Sequence, residues 1–225
     1  MKNIISLISI LLLFNSSSCE RNERCLPKGT YYDFQIPVQL FPAQENYRIG
    51  DTIHFISQFS DQVYEETTDS HYALDNFLFH PSIQIREISG EVPRDTVLNN
   101  FEVLADTSKY TFYKYIYNSG TVSYDGQYNY LNNIYKLEFS IIPRDTGLYY
   151  LVYGSLASTV DAFQDFPGRC DINILNRVYT IVNEGGDNNL DLLLESLSSY
   201  YSGVLYNDYR DNLNKNGIFL FRVTE

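Results

Sequence analysis

Short runs of alternating apolar and polar residues recur along the chain, and turn residues separate them. Clusters of Gly, Pro, Asn and Asp lie between the runs, as at Arg48–Asp51 and Pro143–Gly147. Runs of this length and spacing predict a mainly β fold. The predicted strands are Asp33–Leu40, Thr52–Phe59, Ser82–Ile88, Phe101–Leu104, Tyr110–Tyr117, Tyr135–Ile142, Leu148–Tyr153, Val178–Val182 and Gly217–Val223.

One segment near the C-terminus has a helical period instead. Asn188 occupies the position of an N-cap, and Gly203 the position of a C-terminal stop. The pattern predicts an amphipathic helix that packs on the sheets and is followed by a closing strand. The apolar stripe of this predicted helix is Leu190, Leu193, Leu194, Leu197 and Tyr201.

The amino-acid composition favours β-strands, and the net charge limits which classes of partner the protein can bind. Of the 225 residues, 44% are hydrophobic, which excludes a disordered chain. The aromatic residues are 21 Tyr and 14 Phe with no Trp, and Tyr and Phe favour strands. The net charge of −12 argues against nucleic acid and anionic lipid surfaces as partners, because both attract basic patches.

The N-terminus has the layout of an export signal. Lys2 precedes the apolar run Ile4–Phe14, and the small residues Ser16–Ser18 lead to Cys19. The run is too short for a bilayer-spanning helix, which needs about 20 residues, and has the length of a signal-peptide core. The sequence therefore predicts a signal peptide over residues 1–18 and a tether over 19–29.

The residues around the cleavage position resemble a bacterial lipobox. In that family the signal is cut before a cysteine that carries lipid, although Ser16 stands where an aliphatic residue is usual. The resemblance implies lipidation of Cys19 and attachment to a membrane through that lipid. Glu20 is not the aspartate associated with inner-membrane retention, so the outer membrane is favoured and the leaflet stays open. The alternative is an ordinary secretory signal with Cys19 unmodified.

Two further cysteines need a role in an exported chain. If Cys19 is acylated, Cys25 and Cys170 remain as a pair in an oxidising compartment. A disulfide between them would close a loop of about 145 residues and tie the tether to the domain. Two separate free thiols are the alternative.

The segment Asp145-Thr146-Gly147-Leu148-Tyr149 precedes a hydrophobic strand and resembles a tyrosine corner. The resemblance implies an immunoglobulin-like β-sandwich in which Asp145 and Gly147 form the turn. It also implies that the Tyr149 hydroxyl bonds to backbone between Ile142 and Asp145. Because the antibody-type cysteine and tryptophan are absent, the resemblance is to the wider immunoglobulin-like group. We expect one such domain over 30–225, with a candidate sub-boundary near 155–185.

The sequence offers few residues for catalysis or metal binding. Nucleophile-elbow, zinc-protease, phosphate-loop and paired-cysteine motifs are absent from the sequence, and the three histidines lack ligand spacing. His54 lies in a predicted strand and is interpreted as a half-buried packing residue. The acidic segment Asp61–Asp75 is interpreted as a solvated loop rather than a calcium site. We expect no cofactor and no metal, and an enzyme is not favoured.

The run Tyr110–Tyr117 is the best candidate for binding. A strand period of two places Tyr113, Tyr115 and Tyr117 on one face. The opposite face is also aromatic or apolar, so one of the two is expected to face outward. An outward tyrosine row can stack on sugar rings or anchor a protein. Tyr124, Tyr128 and Tyr130 follow in the next segment and are candidates to extend the row. The alternatives are that the C-terminal helix covers the second face, or that the strand tyrosines merely point their rims at water.

Layout and anchor together resemble outer-membrane lipoproteins of the Bacteroidota type, a resemblance that implies no particular activity. The sequence favours a lipid-anchored, non-catalytic envelope module that binds a glycan or a protein partner. A structural subunit of an envelope complex is one alternative. The other is a hydrolase that uses paired carboxylates, since acidic residues are plentiful.

Overall fold

The computed structural model describes residues 32–75, 77–92, 94, 96–158, 176–206, 213 and 216–225. Each of the nine predicted runs lies within one described strand or extends beyond it by a single residue at either end, and five short strands, β2, β4, β5, β9 and β10, were not predicted. The described strands are β1 Tyr32–Phe41, β2 Asn46–Arg48, β3 Ile53–Ser60, β4 Gln62–Glu65, β5 Ser70–Ala73, β6 Leu78–Glu87, β7 Phe101–Ala105, β8 Thr111–Ile116, β9 Val122–Gln127, β10 Asn129–Leu131, β11 Ile134–Pro143, β12 Gly147–Ser158, β13 Asn176–Val182 and β14 Ile218–Thr224. Short helical segments span Val97–Asn100, Asn183–Gly185, Leu190–Glu195 and Tyr200–Leu205.

The strands form two sheets that are joined by β1. Its residues Tyr32–Val38 pair in parallel with β13, and Gln39–Phe41 pair antiparallel with β3. The first sheet continues from β3 to β11, which also pairs with β10 and β7. The second sheet runs from β13 through β12, β6 and β9 to β8. Strands β14 and β2 extend it beside β12, and β4 and β5 extend it beside β1.

Aromatic side chains from both sheets fill the space between them. Phe59 of β3 meets Phe79 of β6 at 5.4 Å between ring centroids, and Phe139 of β11 meets Phe112 of β8 at 5.1 Å. Along β6 every second residue is buried, because alternate side chains of a strand point to opposite faces. The mainly β sandwich predicted from the sequence is therefore confirmed.

A second, smaller core lies on the outer face of the second sheet. Strand β12 is buried on both faces: Tyr149 and Leu151 point into the main core, and Leu148 and Tyr150 into the second one. The segments Leu190–Glu195 and Tyr200–Leu205 cover this outer face. The closing strand β14 contributes Ile218 and Leu220 to the second core, as expected for a predicted strand next to a packed helical element.

The C-terminal helical element differs from the predicted continuous helix. It is a 3₁₀ helix, Leu190–Glu195, followed by a π-helical turn, Tyr200–Leu205, which includes Gly203 rather than ending at it. With about three residues per turn, Leu190, Leu193 and Ser196 share the buried side. Leu194 and Leu197, which the helical period had placed in the buried stripe, are 53% and 68% exposed.

Serine 196 explains why the helix is interrupted. Its backbone is extended, its hydroxyl donates to the Ile88 carbonyl at 2.8 Å, and that hydroxyl oxygen accepts from the Ser198 amide at 3.2 Å. Serine side chains compete with helical hydrogen bonding in this way. Asn188 is not a side-chain cap; its amide donates to the Val182 carbonyl. Polar contacts therefore hold the C-terminal helical element to the sheet, and the spacing of its apolar residues cannot predict them.

Candidate functional site

The tyrosine row lies on the surface along β8 and the residue that follows it. Tyr113, Tyr115 and Tyr117 are 53%, 46% and 38% exposed, and the helical cover of the second core leaves them open to solvent. The rings of Tyr115 and Tyr117 contact each other edge to face at 4.8 Å. The three side chains therefore form a ridge of aromatic surface, and "tyrosine row" refers to these residues below.

Polar residues of β9 lie beside the row. Asp125 pairs with Tyr113 and Ser123 with Tyr115 across the two strands, so their side chains share the outer face. The Ser123 hydroxyl donates to the Asp125 carboxylate at 2.9 Å. Ser123 is 0% exposed, so of these two only the half-buried Asp125 carboxylate borders the row at the surface.

The opposite face of β8 anchors the strand at one end only. Phe112 stacks on Tyr124 at 5.5 Å and faces Gly126, where an added Cβ would lie 2.7 Å from the Phe112 ring. Glycine at that position therefore makes room for the ring. Further along the same face, Ile116 is 62% exposed. Apolar surface is thus available on both faces of the C-terminal half of β8.

Strand β8 also ends the second sheet. It pairs with β9, and no other described strand pairs with its second edge. The backbone N–H of Tyr117 donates to the Thr121 carbonyl at 2.9 Å, so this N–H faces the β9 side of the strand. Because alternate residues of a strand direct their N–H and C=O groups to opposite edges, those of Lys114 and Ile116 face the second edge. An edge of this kind is a template for another strand.

The predicted extension of the row is wrong. Tyr124 lies on the core side of β9, where it packs against the main core. Tyr128 is buried; its hydroxyl bonds to Ser57 and Tyr153, each at 3.0 Å, and burial raises its pKa to about 12. Tyr130 contacts the carboxylates of Asp61 and Asp75, away from β8. Sequence periodicity could not show this because each tyrosine follows the pairing of its own strand.

Tyr149 lies beneath the turn that precedes β12. The ring is 1% exposed, and its hydroxyl lies 3.1 Å from the carbonyl oxygens of both Asp145 and Thr146. Burial, followed by the charge of Asp145, raises the pKa of Tyr149, so the hydroxyl stays protonated and donates. A Cβ at Gly147 would lie 3.0 Å from the ring, so glycine lets the turn close over it. This arrangement is structural and lies away from the tyrosine row.

The acidic segment Asp61–Asp75 is organised by one buried glutamate. Glu65 accepts from the amides of Asp33 at 2.8 Å and Thr68 at 2.7 Å, and from the Thr67 amide at 3.0 Å. Burial alone would raise its pKa, but these hydrogen bonds outweigh it and the pKa is lowered. Among the described residues, no group of three or more His, Cys, Asp or Glu is arranged to hold a metal ion.

A shallow groove crosses the outer face of the first sheet. His54 is half-buried there; its Nδ1 lies 2.9 Å from the Ser140 hydroxyl, and its ring stacks on Phe41 at 4.8 Å. Sequence reasoning did not find this groove, because its residues come from separate strands and meet only through register.

The lipidation residue Cys19 and the predicted disulfide partners Cys25 and Cys170 lie outside the described residues. In the part of the chain that the structure describes, no helix is both long and apolar enough to cross a bilayer.

Comparisons with known proteins give distant structural likenesses. No protein-family model and no curated protein matches the chain. A cohesin module of a Clostridium perfringens family 33 glycoside hydrolase is 12% identical over 57% of this chain and 83% of its own, with a TM-score of 0.28. The human F-spondin reeler domain is 8% identical over 72% of this chain and 88% of its own, with a TM-score of 0.30. A cohesin–X-dockerin complex of Acetivibrio cellulolyticus is 6% identical over 65% of this chain and 95% of its own, with a TM-score of 0.32. TM-scores this low do not transfer the roles of these proteins to this chain.

Proposed function

We propose that the chain is a lipid-anchored envelope protein that binds a protein partner, without catalysis, through the edge strand β8. One observation carries the proposal: β8 combines the exposed tyrosine row with an edge that no other described strand pairs with. Tyrosine is enriched where protein partners bind, because it buries a large ring and keeps a polar tip.

A polypeptide fits this strand better than a glycan does. A sugar ring would use the tyrosine face alone, whereas Ile116 offers apolar surface on the opposite face. The edge between these faces presents backbone donors and acceptors at Lys114 and Ile116. A partner strand added at this edge would bond to those groups and place its own side chains on both faces. The bordering Asp125 keeps a glycan as the second candidate, since a carboxylate accepts hydrogen bonds from sugar hydroxyls.

The address of the protein is a separate part of the proposal. The short apolar run, Ser16–Ser18 and Cys19 support export, lipidation and attachment to the outer membrane. The test is Cys19→Ser, with Cys25→Ser as the matched control. We expect Cys19→Ser to move the protein from the membrane fraction to the soluble fraction and Cys25→Ser to leave it in the membrane. A mature N-terminus with an unmodified Cys19 thiol in mass spectrometry would contradict the anchor.

Site-specific photo-crosslinking in the native envelope tests the partner. A benzophenone amino acid replaces Tyr115, and the control replaces Tyr200, a tyrosine of similar exposure on the helical cover. We expect a discrete protein adduct at position 115 that is absent at position 200. Mass spectrometry of the adduct then identifies the partner. Equal adducts at both positions, or none at position 115, would overturn the assignment to β8.

A pair of substitutions at Ile116 distinguishes binding through the backbone N–H from binding through the side chain. Ile116→Pro removes the outward N–H as well as the side chain, and Ile116→Ala removes only the side chain. If a partner strand adds at this edge, the adduct at position 115 falls more in Ile116→Pro than in Ile116→Ala. Equal loss in the two variants would favour side-chain contacts only. Loss of the adduct on addition of a neutral oligosaccharide would favour the glycan.

A further inference from the structure

The groove on the outer face of the first sheet is built by strand register. Phe41, His54, Ser140 and Leu104 lie directly opposite one another on β1, β3, β11 and β7. Side chains opposed in this way share one face and form a continuous row. The turn after β7, with Asp106 and Lys109, closes one side of the groove, whose volume is about 540 Å³. That volume is in the range of small-ligand sites.

The polar side chains of the groove are held in place by neighbours. Glu138 accepts from Lys136 at 2.8 Å and from the Tyr110 hydroxyl at 3.3 Å. Burial, followed by the charge of Glu138, raises the pKa of Tyr110 to about 12, so this hydroxyl remains a donor. Asp106 and Lys109 pair at 2.9 Å. Groups fixed before a ligand arrives lose less conformational entropy when they bind it.

The charges in and beside the groove cancel. Its two carboxylates, Asp106 and Glu138, are each paired with a lysine, Lys109 and Lys136. The groove therefore has no net charge at pH 7 with His54 neutral, although the whole chain carries −12. An anionic or a cationic ligand would meet no uncompensated opposite charge, so the electrostatics favour a neutral ligand.

Aromatic surface completes the groove. The Phe41 ring is stacked on His54 on one side, and the residue is 53% exposed. Leu104, 45% exposed, provides apolar surface at the other end of the row. A ligand that fits has apolar ring faces and many neutral hydroxyls at its rim, which is the chemistry of a pyranose.

We propose that this groove is a binding site for a neutral saccharide. One sugar ring packs against the free surface of Phe41, and another ring of the same saccharide packs against Leu104, three strand spacings or about 14 Å away. Its hydroxyls bond to Glu138, Ser140, His54 and Lys109, which together offer acceptors and donors. The site is on the first sheet, is independent of β8, and stands whether or not β8 binds a protein.

Native affinity electrophoresis of the full chain in mild detergent tests the site. The net charge of −12 makes the protein migrate toward the anode, so a gel that contains a bound polysaccharide slows it. The probes are the neutral polymers laminarin, xyloglucan, galactomannan and glycogen, with polygalacturonate as the anionic comparison. We expect retardation by at least one neutral polymer and none by polygalacturonate.

Three variants locate the binding. Phe41→Ala removes the exposed ring and should weaken retardation at least tenfold in apparent dissociation constant. Glu138→Gln keeps the shape but changes the hydrogen bonds, and should also weaken it. Tyr200→Ala, at an exposed tyrosine of the helical cover outside both sites, should leave it unchanged. Failure of all four neutral polymers, retardation unaffected by Phe41→Ala and Glu138→Gln, or equal weakening in Tyr200→Ala would overturn the proposal.

Discussion

The buried Tyr149 side chain stabilises the turn before β12 through its ring and its hydroxyl. Removing the hydroxyl in Tyr149→Phe should cost about 0.5–1.5 kcal/mol, the usual net contribution of a buried hydrogen bond. Removing the ring in Tyr149→Ala should cost about 3–5 kcal/mol, because the ring is 1% exposed and its loss leaves a cavity. Denaturant unfolding measures both, with the exposed Tyr115→Ala as the control. A neutral Tyr149→Phe together with a cost below about 1 kcal/mol for Tyr149→Ala would exclude this role.

Glu65 makes a second contribution at the residue scale, and this one depends on pH. Glu65→Gln should destabilise by about 1.5–3 kcal/mol at pH 7, because an amide NH₂ would point at backbone N–H donors that the carboxylate now satisfies. The pKa of Glu65 is lowered in the folded state. Its contribution is therefore fully present above the ordinary glutamate pKa and is lost as the pH falls through the folded value.

The measurement is the free energy of unfolding of the wild type and Glu65→Gln between pH 7 and pH 3. We expect the difference between the two proteins to be largest at pH 7 and to shrink as the pH falls below about 4.5. Glu91→Gln, at an exposed position, serves as the control and should match the wild type throughout. A difference that is constant with pH would show that the Glu65 charge is not what stabilises the paired strands β4 and β5.

At the scale of elements, the C-terminal helical segment offers two adjacent leucines in opposite environments. Leu193 is fully buried in the second core, and Leu194 is 53% exposed. Leu193→Ala should cost about 2–5 kcal/mol and Leu194→Ala less than about 0.5 kcal/mol. Thermal or denaturant unfolding of the pair decides it. Equal destabilisation by the two substitutions would favour the predicted continuous α-helix, in which both leucines belong to one buried stripe.

The same segment shows where sequence periodicity stops being informative. An α-helical period and a 3₁₀ period both place Leu190 and Leu193 on one side, and they diverge only at Leu194 and Leu197. What selects the 3₁₀ form is the bond from Ser196 to the Ile88 carbonyl, 108 residues away in sequence. A contact at that separation leaves no trace in a local pattern.

The strands were more predictable because their period reflects burial directly. The long runs of β1, β6 and β11 alternate in the sequence as they alternate in the structure. The tyrosine row followed from the same rule. The groove at Phe41, His54 and Ser140 could not follow from it, because it needs the register of three strands. Short strands such as β10 were missed because three residues show no period.

At the scale of the whole molecule, the sheet topology bears on the predicted disulfide between Cys25 and Cys170. Tyr32 and Asn176 are opposite each other where β1 and β13 begin as parallel neighbours. Cys25 lies seven residues before Tyr32, and Cys170 lies six residues before Asn176. The two strands therefore begin at the same end of the sheet, about 4.8 Å apart. Both cysteines lie outside the described residues, and their pairing stays a prediction.

The last prediction is that the exported protein contains a Cys25–Cys170 bond. Peptide mapping by mass spectrometry without reduction should recover the two cysteines in one linked pair of peptides. Cys170→Ser should leave the Cys25 thiol reactive and lower stability by about 2–4 kcal/mol, because the bond limits a loop of about 145 residues in the unfolded chain. Reduction of the wild type should lower stability by the same amount, and reduction of Cys170→Ser should change nothing further. Two alkylated, unlinked cysteines in the untreated protein would contradict the bond, since nothing would then tie the tether to the start of β13.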